Sequence, residues 1–306
     1  MINIVATVES LAQAEQLLPY VDTIFFGEER FGLRLPASFT REEQKQLVDL
    51  AHQHGKKAMI AVNGIMHPEK MKEIPEYLAF LRSINVDVIS LGDPGIIYVM
   101  RKHPELSLPF IYDGETLVTS ARQINFWAKK GALGAVLARE VPFEEMKVMS
   151  QELQVPAEVL VYGATCIHQS LRPLLQNYYN FTQQKESVKK ERGLFLSEPK
   201  KEETHYSIYE DSHGTHIFAD KDIQLMNELT DLVAYHFTTW KLDGIYCPGE
   251  GFVAIAKAFD TARKAIEANN FTDELQAQLV ATIEANHPVN RELTTGFYYI
   301  EPDAIK

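Results

Sequence analysis

The chain has 306 residues, 45% of them hydrophobic and 24% charged, with a formal net charge of −12 at neutral pH. Those proportions suit an ordinary globular protein, and no apolar run approaches the roughly 18 residues that a membrane span needs. The acidic balance argues against a protein that grips nucleic acid alone, because phosphate binding calls for a basic face.

Strand-like apolar runs alternate with amphipathic patterns from the start. Residues 2–8 read as a strand and 10–20 as a helix that Ser10 caps. Residues 23–26 form the second strand, followed by a helix over 41–54 with Thr40 as its cap and Gly55 as its stop. Residues 57–62 and 68–84 make the third pair. Strands four to eight are predicted at 88–91, 110–112, 135–138, 159–161 and 244–246. Their helices are predicted at 95–103, 119–130, 143–153, 222–236 and 251–268.

Eight such pairs predict an α/β fold, a (β/α)8 TIM-type barrel, since parallel strands need crossover helices. A doubly wound open sheet is the alternative. It lacks the Gly-rich turn expected after the first strand. Residues 169–221, after strand seven, far exceed an ordinary βα loop and read as an insertion. A hairpin about Ser212-His213-Gly214 fits inside it. A helix over 272–286 and a strand-like run GFYYI at 296–300 follow, so that 1–306 reads as one domain.

In such a barrel the site forms at the C-terminal strand ends. Glu28 and Arg34 follow strand two, Asn63 ends strand three, and Asp93 follows strand four. Asp113 and Glu115 follow strand five, Arg139 and Glu140 strand six, and Tyr162, Cys166 and His168 strand seven; Cys247 closes strand eight. This mixture of cations, carboxylates and a thiol suits a small anionic or polar ligand. Each residue also has a plainer reading. Asp93 before Pro-Gly is a helix cap, Asn63 braces a loop, Arg34 clamps the loop carrying Glu28, and Arg139-Glu140 is an ion pair at the rim. Cys166, His168 and Cys247 are metal-ligating types, but free cysteines commonly serve as small buried hydrophobes.

The stretch EVLVYGATCIHQSLRP, from Glu158 onward, resembles the signature of peptidase family U32. Glu158, Gly163, Ala164 and Cys166 match it, while Leu160, Thr165, Leu171 and Pro173 replace its Phe, aliphatic, Gly and second Cys. FGEERFGLRLPASFTREE, LAHQHGKKAMIAVN, SLGDPGII, VLAREVPFEEM and NRELTTGFYY are similar to further blocks of that family, in its order. Many members carry four cysteines suited to a four-iron cluster, which needs about four thiolates. Here Phe195 and Pro199 stand at the third and fourth of those positions, so Cys166 alone remains and no iron–sulfur cluster or metal is expected in this chain.

The resemblance implies two activities. Some relatives degrade proteins, with Asp93, Glu140 and His168 the matching catalytic candidates here. Others hydroxylate substrates without oxygen, one branch acting on the wobble uridine of tRNA with prephenate as the implied donor. That branch includes pairs of a short and a longer, cluster-bearing protein, and this chain is similar to the short one. The expectation is a tRNA-hydroxylation component working with a longer paralogue and binding a small carboxylate, with Glu28, Arg34, Asn63, Arg139, Tyr162 and Arg172 around the ligand. A silent scaffold is the remaining alternative. Any tRNA contact would be local: the one basic stretch, 185–201, also reads as a solvated loop. Two cysteines make no disulfide framework, and MINIVATVES has neither a basic region nor a cleavage site, so a cytoplasmic location is expected.

Overall fold

A computed structural model describes residues 1–114, 118–183 and 192–304. Glu115 and the 185–191 part of the basic stretch lie outside these described residues. Eight parallel strands close into a barrel: β1 (Asn3–Thr7), β2 (Thr23–Phe26), β3 (Lys57–Val62), β4 (Val88–Leu91), β5 (Phe110–Tyr112), β6 (Ala132–Val136), the first half of β7 (Ala157–Ser170), and β11 (Thr239–Leu242). Closure comes where β11 pairs with β7 on one side and β1 on the other, Asn3 opposite Thr239.

The helices form where their signals lie. Ser10 Oγ accepts from Gln13 N ahead of α1 (Leu11–Leu17). Thr40 and Glu43 make a reciprocal capping box at the start of α2 (Arg41–Gln53). Side chains alternate across each strand, which divides the apolar residues into two sets. Ile4, Ile24, Phe26, Ile60 and Ile89 point outward and pack on the helices, while Val5, Phe25, Met59 and Ala61 fill the lumen. Fully burying such a side chain contributes about 1.5–3 kcal/mol, and both sets are buried, so the strands read as continuous apolar runs.

The last barrel strand lies at Thr239–Leu242 rather than at 244–246. Trp240 is the outward anchor there, fully buried with its indole N–H donating to Phe237 O at 3.1 Å. Residues 244–246 therefore belong to the loop leading into α9 (Gly249–Glu267), and Cys247 lies beyond the strand, not at its end. The sixth strand likewise begins three residues earlier than expected, at Ala132.

The expected insertion is a β-ribbon. β7 does not stop at Tyr162-Gly163-Ala164 but runs on to Ser170, paired antiparallel with β10 (Gly214–Gln224), which pairs with β9 (Lys201–Asp211). β9 carries the short β8 (Phe195–Glu198). The hairpin about 212–214 forms as expected, and Gly214 is required there: its φ is +99° and a Cβ would lie 2.0 Å from Ser170 O. Residues 222–224 finish β10, so the predicted helix over 222–236 shrinks to α8 (Leu229–Ala234). The run at 296–300 is no strand; instead β12 (Glu292–Thr294) lies parallel to β10.

Contacts at the tip and at the base fasten the ribbon. At its tip, His213 Nε2 donates to Glu29 O at 2.6 Å, Ser212 N donates to Glu29 Oε1 at 3.1 Å, and the Lys70 Nζ lies 3.2 Å from His213 Nδ1. At its base, Arg291 is bidentate to Asp222, at 2.9 and 2.6 Å, donates to Ser207 Oγ at 2.5 Å, and stacks over Tyr246.

Candidate functional site: a charged pocket at the barrel mouth

The lumen changes character along its axis. Above the apolar layer, Ser90 (β4), Asp113 (after β5), Glu158 (β7), Lys241 (β11) and Asp243 turn inward and line a pocket at the C-terminal strand ends, with Arg34, Asn63, Arg139, Glu140 and Cys166 around its rim. The cavity itself is small, about 50 Å³, and opens to solvent at its mouth. A TIM-type barrel places its chemistry at this end.

Asn63 organises one wall. Its Nδ2 donates to Asp113 Oδ2 at 2.8 Å, and its Oδ1 accepts Leu33 N at 2.9 Å. Ser90 Oγ adds a second donor to Asp113 Oδ2 at 3.0 Å. Arg34, next to Leu33, is buried and holds a left-handed φ of 51°, a conformation that non-glycine residues adopt at an energetic cost. Its Nη1 donates to Gln169 Oε1 at 2.7 Å, tying the β2 loop to the ribbon.

The opposite wall holds an ionisable cluster. Burial raises the Glu158 carboxyl above its ordinary range, with Lys241 opposing the rise. Burial likewise raises Asp243, opposed by Arg139 and Lys241, and lowers the Lys241 amine, opposed by Glu158 and Asp243. Lys241 Nζ lies 3.3 Å from the centroid of the Phe25 ring. Glu158 Oε2 and Glu140 Oε2 are buried without a hydrogen-bond partner. No ion pair joins Arg139 to Glu140 among the described residues. Unsatisfied buried carboxylate oxygens are costly, and here they face a pocket.

Other expected site residues sit elsewhere. Asp93 caps α4 (Pro94–Lys102), accepting Gly95 N at 2.7 Å and Met66 N at 3.0 Å. Glu28 lies against α2, where Gln44 Nε2 donates to it at 3.3 Å; burial raises its carboxyl. Tyr162 points out of the barrel, because a bulge in β7 follows Leu160 and sets Tyr162 opposite the outward Leu242. Its hydroxyl pairs with His287 Nδ1 at 2.7 Å. Gly163 completes that bulge at a φ of +128°, and a Cβ there would lie 2.4 Å from Asp243 O.

His168 and Arg172 are exposed on and beyond the ribbon, away from the pocket. The Cys166 thiol donates to His168 O at 3.3 Å, not to the imidazole. Cys247 Sγ is buried 3.8 Å from Asn286 O. Among the described residues no group of three His, Cys, Asp or Glu is placed to hold a metal ion. With Pro173, Phe195 and Pro199 in the other positions, the donors present do not make the four-thiolate set of an iron–sulfur cluster. Lys241 and Asp243 precede the predicted eighth strand, and the inward direction of Lys241 follows from the register of β11 with β1 and β7.

Among the described residues no helix is long and apolar enough to cross a membrane. Peptidase family U32 matches residues 9–306. The chain is 35% identical to "tRNA hydroxylation protein P2" of Bacillus subtilis, over 98% of both chains. It is 25% identical to "tRNA hydroxylation protein P1" of the same organism, over 90% of this chain and 66% of that one. The solved U32 peptidase Mk0906 shares the fold, with a TM-score of 0.53 at 15% identity over 79% of this chain and 92% of that one. The signature around Glu158, the barrel that presents it and the match along nearly the whole chain agree: this protein belongs to peptidase family U32.

Proposed function

We propose that this protein is a component of tRNA hydroxylation, acting in the cytoplasm on the wobble uridine beside a longer member of its family. The observation that carries this reading is the 35% identity to tRNA hydroxylation protein P2 along 98% of both chains. Bacillus subtilis holds both a P1 and a P2 relative, which supports a paired mode of work. In this reading the barrel pocket binds a small carboxylate-bearing ligand through Arg139, and the longer partner supplies any cluster chemistry and most of the tRNA contact.

Proteolysis is supported less well. Its three candidates are dispersed: Asp93 is committed to a helix cap, His168 is exposed on the ribbon, and Glu140 alone faces the pocket. The test is mass spectrometry of tRNA nucleosides from a deletion strain complemented with wild-type protein or with Arg139→Ala. Loss of 5-hydroxyuridine products on deletion, restored by wild type only, supports a ligand-binding role. Restoration by both proteins favours a scaffold. An unchanged nucleoside profile in a strain without another family member sinks the proposal.

A further inference from the structure

The lumen holds a buried lysine whose charge burial opposes, while the Phe25 ring and the Glu158, Asp243 and Asp113 carboxyls favour it. Lys241 is 8% exposed, its stem lies inside the barrel, and its Nζ borders the pocket over the Phe25 ring. An ammonium carries three hydrogen-bond donors, yet Lys241 makes no hydrogen bond or close ion pair among the described residues. Glu158 on the adjoining β7 is the mirror case. It is 5% exposed, lines the same pocket, and leaves Oε2 without a hydrogen-bond partner. Burial works in the same sense on both, lowering the amine and raising the acid. An amine and a carboxyl that line one pocket, with no hydrogen bond at Nζ or Oε2 among the described residues, are placed to act as a nucleophile and its acid.

We propose that Lys241 captures a small carbonyl compound as an imine, with Glu158 as proton donor and Arg139 holding a carboxylate on the same compound. The proposal rests on reading the barrel pocket as the ligand site. The Nζ lone pair forms a C–N bond with the carbonyl carbon, and the carbonyl oxygen takes the proton of Glu158. The nitrogen then returns a proton to the Glu158 carboxylate. The C–O bond of the resulting carbinolamine breaks, its hydroxyl leaving as water with that proton. The products are water and an iminium on Lys241, facing the Glu158 carboxylate. No oxidant or reductant is consumed.

The test uses the full chain with glyoxylate or pyruvate as the probe, lactate as the carboxylate that lacks a carbonyl, and borohydride to fix any imine. Intact-mass measurement and peptide mapping are expected to find one reduced adduct, on the peptide holding Lys241, with the oxo acids and none with lactate. Lys241→Arg and Lys241→Met should abolish it. Glu158→Gln should slow trapping roughly a hundredfold or more, within the range of general acid catalysis. Arg139→Ala should raise the concentration of pyruvate needed, with the modified residue unchanged.

Should the lysine variants fail to fold, mapping of the wild-type adduct decides alone. No adduct with either oxo acid, or adducts spread evenly over surface lysines, overturns the proposal and leaves Lys241 a structural cation. If Arg139→Ala loses tRNA hydroxylation while wild type forms no adduct, imine capture falls and the ligand-site reading stands. If Lys241 is modified while deletion leaves tRNA unchanged, imine capture stands and the tRNA reading falls.

Discussion

Asn63 Nδ2 donates to Asp113 Oδ2 at 2.8 Å while its own Oδ1 accepts the backbone N–H of Leu33, so one amide joins the ends of β3 and β5 to the loop after β2. The bonds are buried, and each end of the amide is used. Asn63→Leu keeps the volume but removes both, leaving the Leu33 N–H without its acceptor. The expected loss is about 1–3 kcal/mol of stability, read from urea denaturation. Arg34, one residue along from Leu33, should shift, so ligand binding should weaken too. A variant as stable as wild type would show that water replaces the amide without cost.

Arg291→Met is expected to be far more damaging. The guanidinium satisfies Asp222, Ser207 and Ala219 O at once, and both it and Asp222 are buried. Removing it strands a buried carboxylate, which costs about 3–5 kcal/mol. The double variant Arg291→Met with Asp222→Leu should recover much of that loss in thermal denaturation. If it recovers nothing, the contribution comes from packing on Tyr246 rather than from charge.

The ribbon tip should loosen in acid. Burial and the neighbouring Lys70 push His213 down to about 4, against an ordinary 6.5; Glu29, Asp211 and His216 are the other polar groups close by. The imidazole is therefore neutral in the folded protein. Its contribution is full above pH 6.5 and is lost as the pH falls toward 4, where the unfolded chain takes up a proton that the folded one refuses. The cost approaches roughly 3 kcal/mol at the acid end. Hydrogen exchange across β9 and β10 should rise between those pH values in wild type and less steeply in His213→Gln. Parallel profiles would count against the latch.

Glu158 predicts a slope of the opposite sign. Its folded carboxyl is raised, so its contribution is full below the unfolded value near 4.3 and is lost as the pH rises through the folded value. Glu158→Gln removes that penalty. The variant should gain stability on wild type steadily from acid to neutral pH, while losing ligand binding. Stability curves that run parallel over that range would place an ionised Glu158 in the folded protein without strain.

Much of the barrel was legible because its code is local. Apolar runs mark the strands, and Ser10, Thr40, Asp93 and Gly55 mark helix boundaries through short-range backbone chemistry. The errors lie where distant contacts decide. GIY looks like a strand, but the barrel closes through TWKL, where Trp240 is fully buried in the outer core and β1 offers its edge. Tyr162 left the site through a bulge that only pairing with β11 imposes. Ala164 to Ser170 became strand because β10, far along the chain, pairs with it. The same limitation hid Lys241, whose inward direction follows from a register that the residues around it do not announce.

Closure of the barrel between Asn3 and Thr239 has a consequence for the nascent chain. During synthesis at about 5–20 residues per second, β1 emerges on the order of 10–50 seconds before its second neighbour. Throughout that interval the strand IVAT has one open edge, a template for wrong pairing. The growing polypeptide thus carries an open strand edge at β1, and shielding of that edge by a chaperone would matter most before Trp240 leaves the ribosome.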